Sequence, residues 1–561
     1  MKPLRVLDVA LALIIFAVPL AWTKYFIAEF TLAKFAILNA AVFLAALCAA
    51  FRPTVLAAGE TGFEAPLLAG LFIACLSAAA SDDPLTSLLG RYDSYAYGLW
   101  ALALFAAVFQ VAARSARTRE ARIARWLTVS AALVGGYAVL QKAGIDPVLH
   151  LKDLPSGGRA VSMLGSPVDL GALLALVWPI ALWRVDAERR PTAVILAACV
   201  AGGLLACGSR GAWLAAGVGA AAYWLISRRE ALRSSLAIAV ACAGSAIAWS
   251  CRSGASVADI GRREVWITAY HVFLRSPLLG CGPDGFEDAF RALRTSAFVA
   301  ALGPLHRQAY AHNDILHVLA NLGLAGAAVY AALLFALVKA AKRAMRTPET
   351  RALGAALTAG LLALWVNLEV NPTSIEIFAF TAVAAGLLCS LTASPSPAFF
   401  SRAPFVLASA LTAYAFAYSL GMAGADKNFK AGAEAQAAGD FASAKILFAQ
   451  ARRSEPCEMS YMVGEVNALG DWINATHDVT LRLALLARAR ETARMALSCH
   501  PRQFNSHYLA GTVSRMHADL GFKDELIIAA REFDQALPLD PHFEPLLAAR
   551  AELQLRLKPS P

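Results

Sequence analysis

Arg210 stands in the run Cys207-Gly208-Ser209-Arg210-Gly211-Ala212-Trp213, between two apolar stretches of a 561-residue chain. A guanidinium at the edge of an apolar run either snorkels to lipid phosphates or holds a partner or an anionic ligand. A second group of polar residues lies farther along. Gly261-Arg262-Arg263-Glu264-Val265-Trp266 opens a helical-looking stretch, and Pro277, Gly280, Gly282 and Phe286 follow it. His306-Arg307 and His312-Asn313-Asp314 close the segment just before the next apolar run. Guanidinium groups match phosphate through paired hydrogen bonds, so Arg210, Arg262, Arg263 and Arg307 are candidate anion binders. His312 would lie at a helix N-terminus, where the dipole disfavours imidazolium. A neutral imidazole is what a general base requires at neutral pH. Helix capping is the plainer role for a single His there, and His271, His306 and His317 are of the same type. No HExxH or paired histidine spacing occurs, so no metal site is expected.

The elements that must position these residues are membrane helices. The chain is 58% hydrophobic and 16% charged, against about 25% charged in soluble proteins. A soluble enzyme over the whole length and a disordered chain are both excluded. Apolar runs fall at about 5–22, 31–51, 63–80, 98–113, 126–141, 167–183, 192–207, 211–227, 233–250, 315–338, 352–368, 375–392 and 403–422. Each approaches the roughly 20 residues that cross a bilayer, and none shows the alternation of a barrel strand. The expected fold is all-α, a polytopic bundle of about thirteen transmembrane helices. Lys2 and Arg5 ahead of the first run resemble a signal peptide, but the recurring spans favour a retained signal anchor.

The net charge of +10 resides largely in loops. Arg114, Arg117, Arg119, Arg122 and Arg125 follow the fourth run, Arg184, Arg189 and Arg190 the sixth, and Arg228, Arg229 and Arg233 the eighth. Lys339, Lys342, Arg343, Arg346 and Arg351 follow the tenth. All lie on the side of the N-terminus, which the positive-inside rule makes cytoplasmic. The opposite loops face outward, including the long one at about 251–314, and long loops in compact proteins are usually functional. An odd number of spans also puts the tail outside.

The chain divides into a membrane domain, 1–424, and a charged, Ala-rich tail, 425–561. The tail repeats a spacing of 4, 3 and 5 in Ala444, Phe448, Ala451, Pro456, then in Ala489, Ala493, Ala496, Pro501, and again in Ala529, Phe533, Ala536, Pro541. Small and apolar residues at these offsets, closed by Pro, resemble the second helix of a tetratricopeptide repeat; a generic helical hairpin bundle would share the pattern. The Pro-to-Pro spacings of 45 and 40 exceed the usual 34. Of the 10 cysteines, Cys457 and Cys499 would lie in an oxidising space. The sequence leaves open whether they pair, and likewise Cys251 and Cys281.

Taken together, Gly261 to Trp266, Pro277, Gly280, Gly282, Phe286, His312-Asn313, Leu316, Leu319, Gly323 and Gly326 resemble the O-antigen ligase and polymerase superfamily, which includes bacterial O-oligosaccharyltransferases. Ser209-Arg210-Gly211-Ala212 is similar to a second motif of that superfamily. Arg159 with Gly165-Ser166-Pro167 is similar to a third, with Ser166 in place of the usual Asn. Gly90-Arg91 and Tyr95 to Leu99 resemble its loop between spans 3 and 4. The resemblance covers roughly residues 1–420. It implies a GT-C-type glycosyltransferase of the bacterial inner membrane, working without metal or other cofactor. The implied donor is a glycan on undecaprenyl diphosphate, and the acceptor a hydroxyl of lipid A-core, of another glycan or of a protein. Carried over residue by residue, Arg210 and Arg262 would bind diphosphate and His312 would deprotonate the acceptor. Arg159, Arg307, Arg91 and Trp266 would bind substrate. Direct displacement would invert the anomeric carbon.

Four functions compete: ligation of O-antigen, glycan polymerisation, protein O-glycosylation and transport of a lipid-linked glycan. A repeat tail with a concave groove slightly favours a protein acceptor or partner. Transport is disfavoured, because the polar candidates cluster at one face and no half-to-half repeat is visible. Membrane lipids are expected partners, and nucleic acid is not.

Overall fold

The apolar runs become helices. The computed structural model describes residues 3–52, 61–115, 119–151, 154–227, 257–392 and 402–557, and among these there is no β-strand. In chain order the helices are α1 (Pro3–Ala12, prolonged through a π-helical turn to Leu20), α2 (Leu32–Phe51), α3 (Glu64–Ala80) and the short α4 (Pro84–Leu89). Then come α5 (Leu99–Ser115), α6 (Glu120–Lys142), α7 (Pro167–Glu188), α8 (Pro191–Ala206) and α9 (Arg210–Ser227). Three helices form the long loop: α10 (Val257–Arg275), α11 (Phe286–Leu293) and α12 (Ser296–Leu302). The membrane part closes with α13 (Asp314–Arg346), α14 (Pro348–Leu368), α15 (Ile375–Ser390) and α16 (Ala403–Ala437). The expected span at 233–250, the basic residues Arg117, Arg228, Arg229 and Arg233, and Cys251 lie outside the described residues. Among the described residues six helices, α2, α6, α7, α13, α14 and α16, are long and apolar enough to cross a membrane, and shorter apolar helices pack among them. The protein is a polytopic helical membrane protein.

α7 is the central helix. Every residue from Leu170 to Trp183 is buried, as expected for a helix that is apolar all round. Small residues let its neighbours close in. A Cβ on Gly360 of α14 would lie 2.2 Å from the Leu176 carbonyl oxygen, the close approach that membrane helices use in place of hydrophobic association. A buried ion pair, Lys34 Nζ to Glu376 Oε1 at 3.0 Å, ties α2 to α15. The loop arginines meet carboxylates at one end of the bundle. Arg119 and Arg122 pair with Asp8, and Arg125 and Arg184 share Glu188.

At the other end the long loop is helical and has its own core. Val265, Ala269 and Val272 line one face of α10 and pack on Phe286, Phe290 and Phe298. It is anchored by a break in α13. Gly323 has φ +63° and ψ −161°, which interrupts the helix. The freed backbone groups bond to the Pro277–Gly282 segment: Leu324 N to Pro277 O at 2.8 Å, Cys281 N to Ala320 O at 2.9 Å and Gly282 N to Asn321 O at 3.0 Å. Irregular backbone at membrane depth is tolerated where protein satisfies it in this way. A Cβ on Gly323 would fall 2.4 Å from the Leu278 carbonyl carbon, and one on Gly280 (φ +71°) 2.2 Å from that of Asn321. These motif glycines therefore build the seam between loop and helix.

The tail continues without a break from the last apolar helix, because α16 runs through residue 424 to Ala437. Six helices follow, each packed on the next: α17 (Phe441–Ser454), α18 (Met459–Ala475), α19 (Val479–Cys499), α20 (Phe504–Asp519), α21 (Glu525–Ala536) and α22 (Glu544–Leu557). The nine repeated Ala and Phe positions are all buried, on α17, α19 and α21. Pro456, Pro501 and Pro541 each fall in the turn that follows. Phe448 packs against Gly464 and Phe533 against Gly511 on the next and preceding helices. Truncating either ring to Ala would cost about 3–5 kcal/mol. A disulfide joins Cys457 to Cys499, whereas Cys281 is free.

Candidate functional site

The turn from α8 to α9 passes through Cys207-Gly208-Ser209, and the Ser209 hydroxyl accepts from Ala212 N at 3.4 Å. Arg210 is thereby the first residue of α9. Arg159, in the segment before α7, lies against Gly208 and donates from Nε to the Cys207 carbonyl at 2.9 Å. α10 supplies Arg262 and, one turn on, Trp266, whose indole N–H donates to the His312 carbonyl at 3.4 Å. His312 precedes α13 and has a left-handed backbone, φ +52°, a strained conformation for a residue with a Cβ and one that recurs at functional sites.

The charges act on one another. Burial, then Arg210 and Arg262, hold the Arg159 guanidinium below its ordinary pKa. Burial and the neighbouring Arg262 push the His312 imidazole down to about 4. Arg159, Arg210, Arg262 and His312 thus share one electrostatic neighbourhood, fed by three separate segments and the start of α13. Arg210 and His312 also sit at the N-terminal ends of α9 and α13, whose dipoles add to the attraction for an anion.

Two groups complete this site that residue types alone did not single out. Asn313 caps α13 by accepting from Leu316 N at 2.9 Å, and its Nδ2 donates to Glu369 Oε2 at 2.9 Å. Gly211 meets Asn371 of the same α14–α15 turn and Asn367 in the last turn of α14. That turn is the bracket between the helix of Arg210 and the helix of His312. Its signal in the sequence is the polar run Asn367-Leu368-Glu369-Val370-Asn371 at the end of an apolar stretch. The second group is Gln308. Its Nε2 lies 3.2 Å from His306 Nε2 and its Oε1 3.1 Å from His312 Nε2. With the amide so turned, His312 donates from Nε2, and the lone pair on Nδ1 remains to accept a proton.

Arg91 and Arg307 stand elsewhere. Both line a cavity of about 740 Å³ between the loop helices and the tail, and none of Arg159, Arg210, Arg262 and His312 lines it. Arg91 donates to the Tyr310 hydroxyl at 3.2 Å and pairs with Glu287 at 3.4 Å. Burial opposes its charge, but Tyr310, Glu287 and Asp284 outweigh burial and hold its pKa above the ordinary value. Arg307 is held below its ordinary value by burial and then by Arg291. His317 is buried against Tyr97, with ring centroids 4.6 Å apart, and His271 is exposed on α10. Among the described residues no group of three or more His, Cys, Asp or Glu could hold a metal ion.

Apolar helices capped at one end by clustered guanidinium groups and a neutral imidazole define a membrane protein equipped to hold an anion beside a base. Residues 195–331 match the family described as O-antigen ligase. The match spans Arg210, Arg262, Trp266, Arg307 and His312, and over these residues the superfamily resemblance holds. Comparison with curated proteins gives no match.

Proposed function

We propose that the chain transfers a glycan from undecaprenyl diphosphate to an acceptor hydroxyl on the periplasmic side of the bacterial inner membrane, with inversion and without a metal ion. The observation that carries this reading is the gathering of Arg159, Arg210 and Arg262 beside a neutral His312. In the reaction His312 Nδ1 takes the proton of the acceptor hydroxyl as its oxygen attacks the anomeric carbon. The bond to the donor phosphate breaks on the opposite face. The leaving diphosphate gains negative charge, and Arg210 and Arg262, with Arg159 behind them, stabilise it. Donor binding also strengthens the base. Burial, the larger cause of the His312 depression, remains, but a diphosphate over Arg262 offsets the Arg262 share and so raises the pKa of the base. Gln308 acts through His312 as a positioning residue.

The Cys457–Cys499 disulfide supports a tail in an oxidising compartment. The tail is read as a tetratricopeptide-like domain that selects the acceptor or a partner, which keeps polymerisation and protein O-glycosylation as alternatives to ligation. The test is to place the chain in hosts lacking a ligase, a polymerase or an oligosaccharyltransferase, each with a matched donor, and to repeat transfer with purified protein in EDTA. Rescue of one host, with activity kept in EDTA, is the expected result. Rescue of none, or activity restored only by a divalent metal, overturns the reading.

A further inference from the structure

We propose that the C-terminal half of α10 and the turn at 277–279 form a re-entrant lipid-docking face, seated among the acyl chains of the leaflet on the side of the arginine cluster. The depth of the seam with α13 carries this assignment. Arg343 Nη2 donates to the Thr61 carbonyl at 3.3 Å, so the basic end of α13 lies level with the start of α3. From that level Ser77 stands about 20 Å along α3 from Glu64, at about 1.5 Å per residue. By the same measure Leu324 stands about 22 Å along α13 from Lys339. Both positions meet the turn. Ser77 Oγ donates to Leu279 O at 2.6 Å, and Ala325 N to Leu278 O at 3.2 Å. Against a hydrocarbon layer about 30 Å thick, each helix separately places Leu278 and Leu279 about 8–10 Å beneath the surface on the arginine side. Part of the long loop therefore lies within the membrane and not above it.

The side chains suit that depth. Leu278 is 69% exposed and continues a stripe formed on α10 by Leu274 and Tyr270, 53% and 52% exposed. The stripe is on the side away from Val265, Ala269 and Val272, which fill the core of the loop. Its neighbours across the seam are exposed too, Leu324 of α13 by 51% and Leu76 of α3 by 43%. The stripe is thus continuous with surface that two apolar helices already present to lipid. Contiguous exposed apolar surface marks contact with lipid or with protein, and the depth selects lipid. The nearest charge obeys the same geometry. Arg275 Nη2 reaches Asp82 Oδ2 at 4.0 Å, beyond the end of α3, so its guanidinium lies at head-group level. Tyr270, a turn above Leu274, is the residue type that favours the membrane–water interface. Arg262 and Trp266 lie nearer the other end of the same helix. A seat in the leaflet fixes the height of Arg262 over the membrane surface, where a lipid-borne diphosphate must present itself; this consequence rests on the glycosyl-transfer reading.

The test uses the full-length protein in nanodiscs of phosphatidylethanolamine and phosphatidylglycerol. Photoreactive benzoylphenylalanine at Leu274 or at Leu278 should cross-link to an acyl chain, read as a phospholipid mass adduct on the peptide. The same group at Ile446, exposed on the tail helix α17, should give none. Absence of lipid adducts at Leu274 and Leu278, or equal adducts at Ile446, overturns the face. Leu274→Glu combined with Leu278→Glu places charge in hydrocarbon and should lower transfer from an undecaprenyl diphosphate donor about tenfold or more. A water-soluble short-chain diphosphate donor should be used by this variant at nearly the wild-type rate. Equal loss with both donors overturns the link between the face and Arg262. Failure of the enzymatic reading is visible separately: lipid adducts at Leu274 and Leu278, with no transfer by the wild type from any undecaprenyl diphosphate donor, would sink transfer and leave the lipid face standing.

Discussion

Arg294 and Asp540 form a buried ion pair across the boundary between the long loop and the tail, Nη2 to Oδ1 at 2.6 Å, with side chains 0% and 3% exposed. Arg294 ends α11 and Asp540 precedes α22, so the pair fastens the last helical hairpin of the tail to the loop that carries His312. Breaking one partner leaves an uncompensated buried charge, at a cost of about 3–5 kcal/mol. Asp540→Ala should therefore raise hydrogen exchange in α11 and in α21–α22 together. Replacing both residues by Met and Leu should be nearly neutral. A single variant with unchanged exchange would show that the pair does not fasten the two parts.

His312→Ala should lower turnover about 10²–10⁴-fold while donor binding survives, the usual cost of a lost general base. Arg210→Ala and Arg262→Ala should weaken both donor binding and turnover. Arg→Lys should rescue poorly, since an ammonium lacks the bidentate fork. His271→Ala should be much milder. Transfer from a synthetic undecaprenyl diphosphate donor, with donor affinity measured separately, checks all four. Near-wild-type turnover in His312→Ala would refute the base assignment.

The pH profile should separate free from donor-bound protein. Free His312 is the neutral base above about pH 4, because burial and Arg262 depress its pKa. A bound diphosphate raises that pKa. The acid limb of kcat should therefore lie at higher pH than the acid limb of kcat/KM for the donor, which reports the free site. Coincident limbs would mean that the donor does not lie over Arg262. Gln308→Ala should shift the kcat limb while leaving donor affinity unchanged, as a positioning role requires.

A second pair sets how the tail docks. His500 Nδ1 lies 2.9 Å from Asp83 Oδ2, and Gln503 Nε2 donates to the same oxygen at 3.0 Å. Burial works against both charges. The hydrogen bond and attraction to Asp83 nonetheless raise His500, and those to His500 lower Asp83. A raised His contributes stability that is complete below its unfolded pKa of about 6.5 and is lost as pH rises through the folded value. A lowered Asp contributes stability that is present above about 3.9 and is lost as pH falls through the folded value. Docking should be firmest between these limits and loosen as pH rises through the raised His500 value. Proteolysis of the α4–α5 loop as a function of pH checks this, and His500→Gln should remove the alkaline loosening.

Alkaline phosphatase fused after residue 425 should be active, and a fusion near residue 120 inactive. The reverse pattern would invert the proposed orientation.

The residue types and their order carried most of the architecture. Runs of about 20 apolar residues have only the helix available to them in lipid, so each predicted run within the described residues is helical, although α13 and α16 continue past theirs to Arg346 and Ala437. The spacing of Ala444, Phe448 and Ala451, and of its two repeats, marked the buried face of the tail, because one helical period fixes which residues share a side. His312, Arg210 and Arg262 stood out because ionisable groups next to apolar runs are costly to keep. What sequence could not carry is whatever depends on contacts between distant segments. Arg91 and Arg307 have the same chemistry as Arg159, and only the tertiary structure shows that they line a cavity against the tail that the arginine cluster does not line. Gly280 and Gly323 belong to a recognisable motif, yet the reason for them is a backbone seam between segments distant in sequence, such as Pro277 and Leu324. Glu369 gains its place by accepting from Asn313, 56 residues away. Local periodicity sets which face of a helix is apolar; which faces meet, and which charges they bring together, is decided by the packing of the whole bundle.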